Sequence, residues 1–462
     1  MKISSIKDIF ENKILIDSIV KVKGWIKNKR NSKSNLLFID IYDGSCVNTL
    51  QIIVNKKLLK NNINHEILKV TSGCSLSVKG KLVSSLNVNQ KFEVYMHKIN
   101  VIGWINKPNS YPMSSKKHSM EHLRNFAHLR PRTNIIGCIS RIRSAIFYSI
   151  HNFLYINNYH WVSSPIITSL NTEGAGDMFS VKYAKNLENN KITYKDFFGK
   201  EVFLTVSGQL SIEAYACALS KVYTFGPIFR AENSNTTRHL SEFWMLEVEL
   251  AFADLDNIIE VVEKMLKYII NFILKNNKND LLFFEKNLND NIVNKLKIFL
   301  ESNICQINYQ DAIEILKDNK IINRNYMFLD VELNLDHEKF LVDKYFKKPI
   351  IIKNYPKDFK PFYMRINKDK KTVSAFDILF PNVGEIIGGS QREERILYLD
   401  KRIKELNLNF NDYSWYRDLR FYGTVPHSGF GLGLERLIMY ITGIKNIKDV
   451  IPFPRTPKNA NF

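Results

Sequence analysis

The sequence predicts an α+β protein of more than one domain, and three observations carry that expectation. At 462 residues the chain is too long for one compact core, since single hydrophobic cores stop growing near roughly 250–300 residues. Its first hundred residues are short alternating runs separated by turn signals, the pattern of a small β-barrel. After a basic, proline-marked stretch, helical spacing alternates with two long strand-like runs, as in a mixed domain. Hydrophobic residues at 45% and charged residues at 24% are globular proportions, which excludes a disordered chain.

Five strands are read in the first part, over residues 20–23, 37–42, 50–54, 76–80 and 92–102, with Asp43-Gly44 marking a turn between the second and third. A five-stranded barrel accounts for this count. Residues 107–132 are irregular and basic and carry Pro108, Pro112 and Pro131, so the expected division is a barrel over 1–105, a linker over 106–132 and a second domain over 133–462. There Ile139, Ile142, Ile146, Ile150 and Phe153 follow helical spacing ahead of a strand over 161–167. A helix over 209–221 carries Ile212, Ala216 and Leu219 on one face. Strands over 223–232 and 242–252 flank a polar loop. Residues 254–347 read as a helical insertion rich in Lys and Asn, to which no chemistry is assigned, and 372–462 read as strands, turns and one helix.

The excess of 66 Lys and Arg over 46 Asp and Glu gives a formal charge of +20, which favours a polyanionic partner through counterion release. An AT-biased composition rich in Lys, Asn and Ile explains the same excess, so charge alone decides nothing. Cys46, Cys74, Cys138, Cys217 and Cys305 are scattered, with neither zinc-ligand nor disulfide spacing. With no apolar leader and no run long enough to cross a bilayer, a soluble cytoplasmic protein without a membrane partner is expected.

Three constellations carry chemistry. Along a strand, alternation puts Arg230 and Glu232 on one face, and Phe243, Glu247 and Glu249 on one face of the return strand, with Arg238 and His239 in the loop. A guanidinium binds phosphate, a ring stacks on a purine and a carboxylate accepts from an amine. A solvated hairpin with cross-strand ion pairs explains the same residues taken alone. Gly429, Gly431 and Gly433 then precede Arg436 at a helix start, a spacing that fits neither a dinucleotide fingerprint nor a P-loop. Finally, Asp377 and Glu385 flank the turn 381–384; two such carboxylates can share Mg²⁺ beside a triphosphate, and equally can be ordinary surface acids.

Together these stretches resemble the class II aminoacyl-tRNA synthetases. Phe229-Arg230-Ala231-Glu232, Thr237-Arg238-His239 and Glu242-Phe243-Trp244 look like motif 2 of that class, and Gly431-Leu432-Gly433-Leu434-Glu435-Arg436 looks like motif 3. The helix and strand ending at Pro165 resemble motif 1, which implies a homodimer. The barrel resembles the OB-fold anticodon-binding domain of the aspartate, asparagine and lysine subclass. Within it, residues 127–134, 173–179, 206–210, 244–247, 389–395 and 452–457 are most similar to the asparaginyl-tRNA synthetases. The resemblance implies a class II catalytic domain built on an antiparallel sheet with flanking helices. It also implies a ligase that joins L-asparagine to tRNA(Asn) with ATP and Mg²⁺.

By the same resemblance Arg230 holds the α-phosphate, Phe243 stacks on adenine, Glu232 reads the adenine amine, Arg238 and Arg436 hold the terminal phosphate with His239 beside them, and Asp377 and Glu385 carry Mg²⁺ near Ser390. Glu173 and Gln209 bind the substrate ammonium, Arg392 the side-chain carbonyl and Glu247 the side-chain amide nitrogen. The aspartate enzymes carry Lys where this chain has Ile212, which leaves an aspartate side chain without an ammonium. In the barrel, Arg30, Phe38 and Gln51 match anticodon contacts. The alternatives are a non-discriminating aspartyl-tRNA synthetase, a catalytically inactive synthetase-like RNA-binding protein and an ammonia-dependent asparagine synthetase.

Overall fold

A computed structural model of the chain describes residues 2–33, 35–59, 66–85, 90–114, 118–172, 176–186, 192–288 and 290–462. The chain forms two compact units, one of residues 1–142, 277–289 and 462, the other of residues 143–276 and 290–461.

In the first unit β1 (Ile19–Asn31), β2 (Leu36–Tyr42), β3 (Leu50–Asn55), β4 (Ser75–Ser84) and β5 (Phe92–Gly103) close into a barrel in the order β1-β2-β3-β5-β4. Period-2 alternation builds its interior: Leu37, Ile39 and Ile41 of β2 meet Leu50, Ile52 and Val54 of β3, all at 1% exposure or less. Helix α1 (Ile6–Phe10), capped by the Ser5 hydroxyl, adds Ile6 and Ile9 to that core. β1 runs beyond the apolar signal at 20–23, because its polar half through Asn31 is held by pairing with β2. The stretch expected to be an irregular linker holds α2 (Met120–Asn125), capped by Ser119.

Helix α3 (Asn134–Ile156) buries Ile142, Ile146 and Ile150 completely. The expected strand over 161–167 is two short ones, β6 (His160–Trp161) and β7 (Ile167–Thr168). β8 (Tyr183–Asn186) pairs with β9 (Ile192–Lys195), and β10 (Phe203–Leu204) with β7. Helix α4 (Gln209–Leu219) buries Ile212 and Ala216 against Val222, whereas Leu219, expected on that face, is 46% exposed because the helix ends there.

The second unit is organised on an eight-stranded sheet. Its order is β13-β14-β15-β16-β17-β12-β11-β6, with β11 (Lys221–Phe229), β12 (Glu242–Ala251), β13 (Cys305–Asn308), β14 (Ile350–Pro356), β15 (Thr372–Phe380), β16 (Gly384–Gln391) and β17 (His427–Gly433). The six strands from β14 to β11 are antiparallel, and the outer strands β13 and β6 join in parallel. Residues 254–347 hold helices α5 (Leu255–Asn276), α6 (Lys278–Leu288), α7 (Ile292–Glu301), α8 (Tyr309–Asp318) and α9 (Leu335–Lys339), and they also supply β13. Residues 372–462 contain three α-helices, α10 (Ile396–Glu405), α11 (Ser414–Phe421) and α12 (Leu434–Thr442), where one was expected. Among the described residues no helix is long and apolar enough to cross a membrane.

Candidate active site

The antiparallel sheet carries two adjoining cavities, of about 570 Å³ and about 150 Å³, with Arg230, Met245, Glu385 and Gly431 in the walls of both. Strand alternation explains one wall: Phe243, Met245, Glu247 and Glu249 occupy odd positions of β12 and face the cavities together. On the neighbouring strand β17, Gly429, Gly431 and Gly433 stand opposite Glu249, Glu247 and Met245. A Cβ at Gly429 would lie 2.2 Å from Glu249 Oε1, so only glycine leaves room for that carboxylate. Arg230 and Glu232 were expected to share a strand face; instead β11 ends at Phe229 and both lie beyond it, Arg230 still tied by its N–H, at 3.0 Å, to the carbonyl of Ser241 just before the return strand.

The smaller cavity is lined by Glu232, Arg238, His239, Phe243 and Arg436. The Arg230 guanidinium lies 5.6 Å from the centre of the Phe243 ring, and Arg436, in the first turn of α12, donates to the Glu385 carbonyl at 2.7 Å. Arg238 donates to Asn382 O at 3.4 Å. His239 Nδ1 is within 2.9 Å of the Ser234 and 2.8 Å of the Thr236 hydroxyls, and burial, then the nearby Arg436, lowers its pKa. Three guanidiniums around an aromatic ring make a compartment suited to a purine nucleotide.

The larger cavity takes Gln209, Glu247, Glu249 and Arg392 at one end and Asp377 and Glu385 at the other. Glu247 accepts the Ser207 hydroxyl and, at 2.8 Å, the Gly208 N–H; burial raises its pKa against these bonds. Gln209 donates from Nε2 to Glu213 Oε1 at 2.9 Å. Arg392 donates from Nη1 to Ser390 Oγ at 2.7 Å and clamps Glu249, through Nε at 3.2 Å and Nη2 at 2.5 Å. At the other end the Asp377 carboxylate is 2.7 Å from Lys360 Nζ; burial raises the Asp377 pKa, Lys360 opposes the rise and Glu385 adds to it. The point where a Gly388 Cβ would stand is 3.1 Å from both Asp377 Oδ1 and Glu385 Oε1, so the two carboxylates converge over a bare strand.

Of the expected residues, Ser390 and Ile212 are placed differently. Ser390, expected near the metal, is fully buried and lines neither cavity, and its hydroxyl accepts from Arg392. Ile212 is absent from both walls and packs with Ala216 and Val222. Glu173 lies outside the described residues. In the separate barrel unit, Arg30, Phe38 and Gln51 form one group: Arg30 lies 5.0 Å from the Phe38 ring centre and donates to Gln51 Oε1 at 2.5 Å, and Gln51 Nε2 donates to Gln90 and Glu93.

Sequence reasoning missed a buried support behind the larger cavity. Glu213, the lone charged residue of helix α4, receives Tyr416 Oη at 2.7 Å and Arg420 Nη2 at 3.0 Å and lies 2.9 Å from His427 Nε2. Burial alone would raise its pKa, but Arg420, His427 and Arg392 outweigh burial and hold it well below the usual carboxylate range. A single charge, one position after Ile212 in a helix otherwise without charge, was the available signal. Lys360 and Glu338 were also missed; burial, with Glu385 and Asp377 nearby, pushes the Glu338 pKa up to about 7.

Comparisons with known proteins show the family. The family described as class II tRNA synthetases (D, K and N) matches residues 119–457, and that described as OB-fold nucleic acid binding domain matches residues 20–102. An asparagine–tRNA ligase of Buchnera aphidicola subsp. Acyrthosiphon pisum is 58% identical, covering 99% of both chains, and that of Buchnera aphidicola subsp. Baizongia pistaciae is 57% identical over the whole of both. The crystal structure of Pyrococcus horikoshii asparaginyl-tRNA synthetase complexed with asparaginyl-adenylate is similar over 99% of each chain, with a TM-score of 0.88 and 31% identity. By family match and by full-length relatives alike, the chain belongs to the class II tRNA synthetases of the aspartate, lysine and asparagine group.

Proposed function

We infer that this chain is an asparagine–tRNA ligase. It activates L-asparagine with ATP to asparaginyl-adenylate and pyrophosphate, then esterifies the 3′-terminal adenosine of tRNA(Asn). The observation that carries the reading is the pair of adjoining cavities with Arg230 in both walls, one lined by guanidiniums around Phe243, the other by Gln209, Glu247 and Arg392. In the first step the amino acid's own carboxylate attacks the α-phosphorus, so the protein contributes positioning and charge stabilisation. Arg230 holds the α-phosphate between the compartments. Phe243 stacks on adenine, Glu232 accepts from its amine, and Arg238 and Arg436 hold the terminal phosphate with His239 beside them.

Gln209 spends its amide nitrogen on Glu213, so its carbonyl oxygen is left to accept from the substrate ammonium, a task shared with Glu173. Arg392 donates to the side-chain carbonyl and Glu247 accepts from the side-chain amide. Asp377 and Glu385 fit Mg²⁺, since two convergent carboxylates suit an ion that completes its shell with phosphate oxygens and water. Bound there, Mg²⁺ would neutralise charge on the pyrophosphate.

The barrel group of Arg30, Phe38 and Gln51 reads the anticodon, with Phe38 as the stacking ring. Two copies pair through α3 and β6, a reading supported by the exposure of Tyr148, Tyr155, Ile156 and Trp161 at 55% or more. The enzyme works in the cytoplasm, where five free thiols suit the reducing conditions. ATP–pyrophosphate exchange tests the central reading. Exchange with asparagine and little with aspartate is expected; equal exchange with both would favour the non-discriminating alternative, and none with either would remove the catalytic assignment.

A further inference from the structure

We propose that a hydroxyl-lined cavity beside Trp415, together with an aromatic strip at Phe197 and Phe198, is a subsite for the unpaired 3′ end of tRNA. It holds a base upstream of the terminal adenosine, which itself must reach the cavity where the adenylate forms. The inference rests on the tRNA-charging reading and deepens it.

This further cavity, of about 210 Å³, lies where β7 and β10 meet the starts of α4 and α11. Thr168, Ser169, Thr205, Ser207 and Ser211 set hydroxyls in its wall, beside the indole of Trp415, which is 39% exposed. Ser207 also stands in the wall of the larger active-site cavity, so the two share a boundary. None of the residues lining the new cavity carries a charge, which disfavours a free nucleotide's phosphates or an amino acid's zwitterion and suits a neutral ring. Its volume is below the roughly 300–1,000 Å³ of small-molecule sites, room for a base more than for a whole nucleotide. Hydroxyls both donate and accept, so such a wall meets the polar edge of any base, and the indole offers a face for stacking.

The chain between β9 and β10 extends the site outward. Phe197 and Phe198 are 72% and 50% exposed. Their ring centres are 5.1 Å apart, and Phe197 meets Tyr183 of β8 at 6.0 Å, both pairs edge to face. Lys182, Lys195 and Lys200 are exposed in the same stretch, against Asp196 and Glu201, which leaves one net positive charge beside the rings. Lys200 Nζ donates to Ser169 Oγ at 3.2 Å and so ties the strip to the cavity wall. Exposed rings interleaved with ammonium groups are the combination that binds single-stranded RNA, rings for the bases and cations for the phosphates. Charging requires the acceptor strand to enter the larger cavity, and only an unpaired strand is narrow enough to do so. The strip and the cavity next to Ser207 supply a course for it.

The test compares aminoacylation, tRNA-free ATP–pyrophosphate exchange and tRNA binding in full-length protein. Trp415→Ala should raise KM for tRNA(Asn) roughly tenfold while exchange stays at the wild-type rate, and Trp415→Phe, which keeps a ring, should restore most of the loss. Wild type should bind intact tRNA more tightly than tRNA trimmed of its unpaired 3′ nucleotides, and Trp415→Ala should lose most of that preference. The double variant Phe197→Ala/Phe198→Ala, in which only exposed rings are removed, should show the same pattern and stands in if Trp415→Ala does not fold. An unchanged KM for tRNA, equal weakening of intact and trimmed tRNA, or a matching loss of exchange overturns the proposal. So does dissociation of the double variant into monomers with the preference for intact tRNA retained, which would make the strip a contact between two copies of the chain. Failure of the wild type to charge tRNA at all would instead overturn the function on which the proposal rests.

Discussion

Arg230 is the side chain on which both compartments depend, since it lines each cavity beside Met245 and Glu385. A donor aimed at charge that develops in the transition state acts on kcat more than on KM. Arg230→Ala is thus expected to reduce kcat for ATP–pyrophosphate exchange by about 10²–10³-fold, with KM for asparagine little changed. Steady-state exchange kinetics check this, and a loss confined to KM would assign Arg230 to ground-state binding. Gln209 makes a second point at this scale. Its bond to Glu213 orients the amide, so Glu213→Gln, which removes the charge that gathers Gln209, Tyr416 and Arg420, should raise KM for asparagine while leaving KM for ATP near wild type. A parallel rise in both KM values would mean general disorder of the site.

Elements explain why single residues behave as they do. On β12, period-2 alternation delivers four consecutive odd positions to the cavities, and the glycines of β17 make space for them. Gly429→Ala is expected to cost at least about 2 kcal/mol in chemical denaturation, because its Cβ would overlap a carboxylate and a backbone oxygen. Gly226→Ala on β11, with nothing within 4 Å of its Cβ, should be tolerated. Denaturation midpoints of the two variants make the comparison, and equal losses would contradict the steric account.

Three elements also meet at Glu435 of α12, which is 1% exposed and accepts from Arg143 of α3 at 2.7 Å and from the Trp244 N–H of β12 at 3.0 Å. Burial raises the Glu435 pKa and Arg143 opposes it. Arg143→Ala removes the opposition and should destabilise by about 3–5 kcal/mol near neutral pH. The folded-state pKa then stands further above the unfolded value, so the protonated form is the one the fold tolerates. Stability of the variant is thus best below the unfolded pKa and falls as pH rises through the folded one. The melting-temperature deficit should be larger at pH 8 than at pH 5, and a pH-independent deficit would rule out the charge argument.

For the molecule as a whole, the functional reading divides two tasks between two compact units. Phe38→Ala in the barrel should raise KM for tRNA by an amount equivalent to about 1–3 kcal/mol of lost stacking, while tRNA-free ATP–pyrophosphate exchange stays at wild-type level. Aminoacylation and exchange assays on one preparation check it; a matching loss of exchange would show that Phe38 serves the barrel core instead. The net charge of +20 adds a salt test: KM for tRNA should rise steeply with ionic strength and KM for asparagine should not.

Much of this was legible in the chain alone. Short strand-like runs announced all five barrel strands, and the hairpin of β11 and β12, the glycines before Arg436 and the carboxylates about the turn at 381–384 could be read because each occupies a short contiguous run. Local signals report local structure. Tertiary structure alone decided that Ser390 serves Arg392, that Ile212 faces Val222 away from both cavities, and that Lys360 meets Asp377. It alone brought Glu213, His427, Arg420 and Tyr416 together, from positions as much as 214 residues apart. Neither periodicity nor propensity encodes such encounters. They arise because a buried charge must find a partner, and only the packed fold determines which partners come within reach.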